Sequence, residues 1–215
     1  MCLNKVVLAT RNPGKLRELR ALLSETDLEC KSQAEYRVPQ VPETGQTFFE
    51  NALIKARNAC RYSGLPSIAD DSGLVVDCLQ GAPGVHSARY AGEKATDTDN
   101  LKKLLEAVRE FSAEERTARF HCAMVYLRSE SDPSPLISVG TWEGRISMTE
   151  RGCHGFGYDP VFLVIGLNLT SAELEPQEKN RLSHRGQALR QLVEQLRKEY
   201  LPHSKNTAQR STGST

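Results

Sequence analysis

The chain has 215 residues, with 28 Lys and Arg against 27 Asp and Glu and a formal net charge of +1. It is 39% hydrophobic and 26% charged, the balance of a globular protein in water, and its near-neutral charge gives no global argument for nucleic acid or a membrane surface as partner. No stretch approaches the ~20 apolar residues of a membrane span, and Met1 to Thr10, whose apolar run is broken by Asn4 and Lys5, is unlike a secretory signal.

Lys5 to Ala9 is a short apolar run that suits a buried strand. Thr10-Arg11-Asn12-Pro13-Gly14-Lys15 follows, and then a helix with Leu16, Leu19, Leu22 and Leu23 on one face. Backbone N–H groups and the helix dipole can meet an anion there, with Lys15 adding a formal charge. The same residues also read as an ordinary strand-to-helix turn with Pro near the helix start. Residues 33–45 form a polar loop with Pro39, Pro42 and Gly45. The next helix has an apolar stripe of Phe49, Ala52, Leu53, Ala56 and Cys60, with Asn51, Lys55 and Asn58 on another face. If that face borders a cleft, Lys55 can meet phosphate; otherwise it is a solvated face.

Leu65 to Ala69 reads as the end of a buried strand that stops on Asp70-Asp71-Ser72-Gly73, with Leu74 to Cys78 as another strand. Adjacent carboxylates repel. A Mg²⁺ ion resolves that repulsion, since it favours one or two carboxylates plus waters and phosphates, and so does a solvated turn. Thr96 or Asp97 can cap a helix with Leu101, Leu104, Leu105 and Val108 on its core face. Arg119 to Leu127 and Leu136 to Ile146 read as an antiparallel pair turned at Pro133 to Pro135.

Gly152, Gly155 and Gly157 allow close backbone approach to a ligand. Phe156 and Tyr158 offer flat faces to a base and Asp159 an acceptor; the alternative is a flexible loop with its aromatics in the core. Ser183 is a candidate N-cap for a helix with the stripe Ala188, Leu189, Leu192, Val193 and Leu196. His184 and Arg185 then fall in its first turn, where a cation is unfavourable unless an anion is bound. The six cysteines include no Cys-x-x-Cys pair and read as reduced thiols. Residues 1–200 are expected to form a single domain, and 201–215, polar with little to bury, a disordered tail.

Several signatures stand in order: Ala-Thr-Arg-Asn-Pro-Gly-Lys (9–15), Glu-Thr-Gly followed by Phe-x-Glu-Asn-Ala-x-x-Lys-Ala (43–56), Ala-Asp-Asp-Ser-Gly-Leu (69–74), Gly-Ala-Pro-Gly-Val-His-Ser-Ala-Arg-Tyr (81–90), Gly-Phe-Gly-Tyr-Asp-Pro-x-Phe (155–162) and Lys-Asn-x-x-Ser-His-Arg-Gly-x-Ala (179–188). Together they resemble the inosine triphosphate pyrophosphatase family. The resemblance implies an α/β fold with a central mixed, elongated sheet, helices on both faces, and two lobes flanking a substrate cleft. It implies a cytoplasmic homodimer that carries out Mg²⁺-dependent hydrolysis of non-standard purine nucleoside triphosphates (ITP, dITP, XTP) to monophosphate and pyrophosphate. Thr10, Arg11, Asn12, Pro13, Gly14 and Lys15 match the phosphate-binding loop. Asp71 matches the proton acceptor, with Ser72 beside it on substrate. Phe156, Gly157, Tyr158, Asp159, Lys179, His184 and Arg185 match the nucleotide-binding positions.

The mechanism expected from this places Mg²⁺ on Asp71, Glu43 and Asp70, with Lys15, Lys55 and Lys179 around the triphosphate. Asp71 orients or deprotonates a water that attacks the α-phosphorus. Arg185 or His184 donates to a 6-keto oxygen and cannot pair with a 6-amine. The rival readings are a pyrophosphatase for a pyrimidine or ordinary nucleoside triphosphate on a similar fold, and a non-catalytic nucleotide sensor.

Overall fold

In the computed structural model, which describes residues 5–24 and 26–200, the apolar run at the start of the chain is β1 (Lys5–Leu8). Val6 and Leu8 pack with Leu19 and Leu23 of α1 (Pro13–Leu23) and with Leu189 and Leu192 of α5 (His184–Tyr200). Val7 and Ala9 pack on the other side, against Ala52, Ala56 and Ala59 of α2 (Phe48–Ser63). A strand covered on both faces needs an unbroken apolar run rather than alternation, which is why β1 lacks a polar face.

The other strands are β2 (Glu29–Ser32), β3 (Ser67–Val76), β4 (Thr117–Leu127), β5 (Leu136–Ile146) and β6 (Phe162–Val164). They form one sheet in the order β2-β1-β3-β4-β5-β6. β1 runs parallel to β2 and β3, and the pairs from β3 to β6 are antiparallel. The sheet is mixed, with helices on both faces, as the resemblance implies. β5 alternates buried and exposed residues, because α5 covers only one of its faces. Gly140 allows that cover: a Cβ there would collide with the His184 carbonyl of α5.

A second lobe gathers around α3 (Asp97–Ala107), whose Leu101 and Leu104 pack with Leu74, Val76, Phe120, Trp142, Tyr158 and Phe162. Thr96 caps α3 in a capping box with Asp99. The lobes share β3 to β5, and the cleft opens where β3 changes neighbours. Ala9 N–H donates to the Ile68 carbonyl at 2.8 Å. Farther along, Leu74 N–H donates to Ser87 Oγ at 2.9 Å. Between those points Asp71, Ser72 and Gly73 line a pocket.

β3 corrects one expectation. Asp70 and Asp71 neither end a strand nor form a turn: residues 67–76 are one strand, and the separate strand at 74–78 is its second half. The carboxylates are tolerated in mid-strand because each meets cations from a different layer. β2, β6 and α4 (Pro176–Leu182) lack a sequence signal; β2 reads Glu-Cys-Lys-Ser and pairs on one side only. Ile165, Leu167 and Leu169 are exposed, on a turn closed by Val164 N–H donating to the Leu169 carbonyl. The expected tail, 201–215, lies outside the described residues. Among the described residues no helix is long and apolar enough to cross a membrane.

Candidate active site

Successive residues of a strand point to opposite faces, so Asp70 and Asp71 project away from each other. On the α2 face, Asp71 accepts from Asn51 Nδ2 at 3.2 Å and from Lys55 Nζ at 3.0 Å. Lys55 Nζ is also 3.4 Å from Glu43 Oε2. Burial pulls the Lys55 pKa down, but Asp71, Glu43 and Asp70 outweigh it and the net shift is upward. Asn51 Oδ1 accepts from Gly45 N–H at 2.8 Å, Asn58 Nδ2 donates to the Pro39 carbonyl at 2.8 Å, and Arg11 Nη2 donates to the Val38 carbonyl at 2.8 Å. The loop carrying Glu43 is therefore pinned to α2 and to the loop after β1. The polar face of α2 borders the cleft.

On the other face Asp70 is fully buried, 3.0 Å from Lys15 Nζ and 3.1 Å from Arg185 Nη2. Burial alone would raise its pKa, yet Lys15 and Arg185 hold it far below the usual carboxylate range. Asn12 caps α1 by accepting from Lys15 N–H at 3.0 Å, with Pro13 opening the helix. Thr10 Oγ1 accepts from Asn12 N–H at 3.2 Å. Ser183 Oγ likewise caps α5, accepting from Gly186 N–H at 3.1 Å.

From Arg185 a chain of alternating charge runs to the glycine-rich loop. Arg185 donates to Ser72 Oγ at 2.8 Å and to Glu18. Glu18 accepts from Lys179 Nζ at 2.8 Å, and Lys179 Nζ donates to Asp159 Oδ2 at 2.6 Å. Asp159 also accepts from Phe156 N–H at 2.8 Å and Ser171 Oγ at 2.9 Å. Four cations, Lys15, Lys55, Lys179 and Arg185, are thus held by five carboxylates, Glu18, Glu43, Asp70, Asp71 and Asp159.

His184 stacks on Phe120 with ring centroids 4.8 Å apart and planes 14° apart. It lines the pocket, is 5% exposed, and its Nδ1 has no hydrogen-bond partner among the described residues. Burial pulls its pKa well below the ordinary value, so the ring is neutral. The Phe156 ring also lines the pocket. It sits over Gly14, with Lys179 Nζ 5.0 Å and Arg185 Cζ 5.8 Å from its centroid.

The structure gathers Thr10, Arg11, Asn12, Lys15, Glu43, Lys55, Asp71, Ser72, Phe156 to Asp159, Lys179, His184 and Arg185 around one cleft, with Pro13 and Gly14 joining that loop to α1 rather than lining it, but some are placed otherwise than expected. Asp70 does not share a cation position with Asp71; it lies on the opposite face, neutralised by Lys15 and Arg185. Tyr158 is a core residue whose hydroxyl donates to the Ser87 carbonyl at 2.8 Å. The Asp159 oxygens are taken by Phe156, Lys179 and Ser171, and the Arg185 guanidinium by Glu18, Asp70 and Ser72. Sequence reasoning misses Glu18, and it puts Asn51 on the polar face of its helix without foreseeing its contact with Asp71. Glu18 stands one helical turn after Lys15, but nothing in the sequence says that it turns inward.

Asp71 Oδ1 and Glu43 Oε2 converge on the Lys55 ammonium, so two hard oxygen donors already face a positive charge. That donor set fits a Mg²⁺ ion that keeps waters and substrate phosphates as its other ligands. Among the described residues no group of three or more His, Cys, Asp or Glu forms a protein-only cage.

Residues 6–195 match the family model described as the Ham1 family. A dITP/XTP pyrophosphatase of Vibrio parahaemolyticus is 57% identical over 194 residues, covering 90% of this chain and 97% of the relative. One of Escherichia coli O157:H7 is 54% identical over 195 residues, covering 91% and 99%. Among solved structures, a HAM1 protein from Coxiella burnetii superposes with a TM-score of 0.83 at 50% identity, covering 90% of this chain and 98% of that one. A nucleoside-triphosphatase, dITP/XTP pyrophosphatase, from Mycobacterium abscessus gives a TM-score of 0.70 at 42% identity, covering 90% and 100%.

Proposed function

The chain belongs to the Ham1 family, and from that premise we propose that it hydrolyses non-standard purine nucleoside triphosphates, ITP, dITP and XTP, to the monophosphate and pyrophosphate, clearing them before they enter nucleic acid. The observation that carries this is the meeting of Asp71, Lys55 and Glu43 with the Lys15 loop in the cleft that His184 also lines.

Asp71 is the catalytic residue of this reading. Lys55 and Asn51 fix its carboxylate, which orients a water toward the α-phosphorus and takes its proton. Asp71 and Glu43 would hold Mg²⁺, which when bound stabilises charge on the phosphoryl oxygens. The N-terminus of α1 faces the phosphates, with Lys15 and Lys179 beside them, each held by its carboxylate. No covalent protein intermediate is needed.

At the base, neutral His184 is the better candidate reader than Arg185, whose donors are committed. A ring N–H turned to the base donates to a 6-keto oxygen, and a 6-amine leaves it unpaired. A mispaired buried polar group costs about 1–3 kcal/mol, which is tenfold or more in discrimination. The homodimer and the cytoplasmic location remain part of the proposal. The exposed apolar residues Ile137 and Val139 on β5 support a second copy packing on this chain. Three apolar clusters around one sheet support a single domain over 1–200.

The test is a panel of ITP, dITP, XTP, ATP, GTP, UTP and dTTP, with and without Mg²⁺, followed by separate assays for pyrophosphate and orthophosphate. ITP, dITP and XTP should lead, release pyrophosphate and require the metal. Preference for UTP or dTTP, or release of orthophosphate alone, overturns the reading.

A further inference from the structure

The cations on the floor of the cleft are already engaged. Lys15, Lys55, Lys179 and Arg185 each hold a carboxylate, and the carboxylates outnumber them by one. A polyphosphate entering this site meets no net positive charge from these residues. They are also poorly able to turn toward it, because breaking a buried pair strands the partner's charge without solvent.

Arg89 is also paired, but with a partner it can leave. It lines the same pocket. It ends the short helical segment Gly84–Arg89, which takes over the edge of β3 where β1 has stopped. That backbone is firmly placed. Ser87 Oγ donates to the Gly84 carbonyl at 2.6 Å and accepts from Leu74 N–H at 2.9 Å. Asn100 Nδ2 donates to the Ala88 carbonyl at 3.2 Å, and Asn100 Oδ1 accepts from Ala91 N–H at 2.7 Å. The segment lies close beside Asp71: a Cβ on Gly73, two residues along the same strand face, would collide with the Gly84 carbonyl and Ser87 Oγ. Among the described residues the Arg89 side chain, by contrast, has one ion pair, Nε to Glu93 Oε1 at 3.5 Å, and that partner is 86% exposed. A pair of this kind is screened by water and costs little to release.

We propose that Arg89 is a further substrate-binding residue, which leaves Glu93 when substrate enters and grips the β- and γ-phosphoryl groups. It closes on them from the segment packed against Gly73, two residues from Asp71 on β3. Its planar fork suits two phosphate oxygens at once, and it supplies positive charge that the floor of the cleft lacks. This rests on the triphosphate reading above, and it makes Arg89 a determinant of grip on the pyrophosphate half rather than on the base.

The experiment is titration calorimetry of the full chain with inorganic pyrophosphate plus Mg²⁺ and, separately, with inosine monophosphate, for the wild type, Arg89→Ala, Arg89→Lys and Glu93→Gln. Arg89→Ala should weaken pyrophosphate binding about tenfold or more, the scale of one charge-assisted hydrogen bond, and leave monophosphate binding within about twofold. Arg89→Lys should recover part of the loss, since it keeps charge without the fork. Glu93→Gln should bind pyrophosphate at least as tightly as the wild type. Thermal melting within a few degrees of the wild type shows that Arg89→Ala is folded, and Arg89→Lys carries the comparison if it is not. Loss of pyrophosphate grip supports the assignment even if the panel shows no ITP hydrolysis, in which case the activity reading alone falls. Pyrophosphate affinity that ignores all three substitutions, or a wild type that does not bind it, overturns the assignment even if ITP is hydrolysed.

Discussion

Asp70 and Asp71 are sequence neighbours that belong to different layers of the molecule: Lys15 reaches Asp70 at 3.0 Å from one side of the sheet, and Lys55 reaches Asp71 at 3.0 Å from the other. β3 thus carries a structural carboxylate and a candidate catalytic one on consecutive residues. Asp71→Asn keeps the shape and the contact with Asn51 and removes the negative charge. Turnover of ITP should fall at least about a hundredfold, the scale of a lost acid–base group. Glu43 still faces Lys55 at 3.4 Å, so the fold should survive. Steady-state rates alongside circular-dichroism melting check both statements, and near-wild-type turnover removes Asp71 from the mechanism.

Glu18 stands between Lys179 and Arg185. Burial would raise its carboxyl pKa, but Arg185 and then Lys179 bring it below the ordinary value. Glu18→Gln leaves two buried cations facing a neutral amide. Breaking a buried pair from one side costs about 3–5 kcal/mol, and the retained amide oxygen should hold the loss toward the lower end. Urea unfolding measures this directly. Because Lys179 and Arg185 reach Asp159 and Ser72, ITP KM should rise as well. A variant as stable as the wild type, with unchanged KM, would show the linkage to be incidental.

The parts of the fold that announce themselves are those whose pattern answers to one environment. β1 reads as buried because both of its faces are covered, α2 reads correctly from its stripe, and β4 and β5 read as a pair from their length and turn. β3 misleads because turn-forming residue types occupy mid-strand, which only contacts from Lys15, Arg185, Asn51 and Lys55 permit. At the candidate site the motifs name residues that the fold brings to one cleft, but not the partner of each side chain. Tyr158 and Asp159 read as ligand contacts because an aromatic and a carboxylate in a glycine-rich loop look available. Only the packing shows the Tyr158 hydroxyl on the Ser87 carbonyl and Asp159 facing Lys179. Glu18 stays hidden because burial of one helix face against α4 and α5 is not a local property.

His184 and Asp70 set two separate pH windows. His184 has a folded pKa below its unfolded value of about 6.5, so the unfolded chain takes up the proton first. Its contribution is present above about pH 6.5 and lost as pH falls below it. Asp70 has a folded pKa far below the unfolded value of about 3.9, so its contribution is present above that and lost below about pH 4. Melting temperature should therefore drop between pH 7 and pH 5, and again more steeply below pH 4. His184→Phe preserves a ring against Phe120 and should flatten the first decline while leaving the second. A residual slope from His121, also lowered by burial, remains. Identical pH profiles for variant and wild type would mean that His184 does not carry the first window.

Gly140 tests whether the position of α5 governs the base end of the cleft. The helix starts with His184 and Arg185, and its first turn lies against β5 at Gly140 closely enough that an added Cβ would strike the His184 carbonyl and come within 2.8 Å of Ala188 N. Both atoms are backbone, so no side-chain rotation relieves the clash and the helix must move. Gly140→Ala should cost about 1–3 kcal/mol, as overpacking does. The shift also carries His184 off Phe120 and pulls Arg185 away from Asp70 and Ser72. ITP KM should rise more than kcat falls, because Asp71 and Lys55 are held by α2 on the opposite face. Thermal melting and steady-state kinetics of the variant check the pair of effects. A loss of stability with unchanged KM would separate the placement of α5 from recognition of the base.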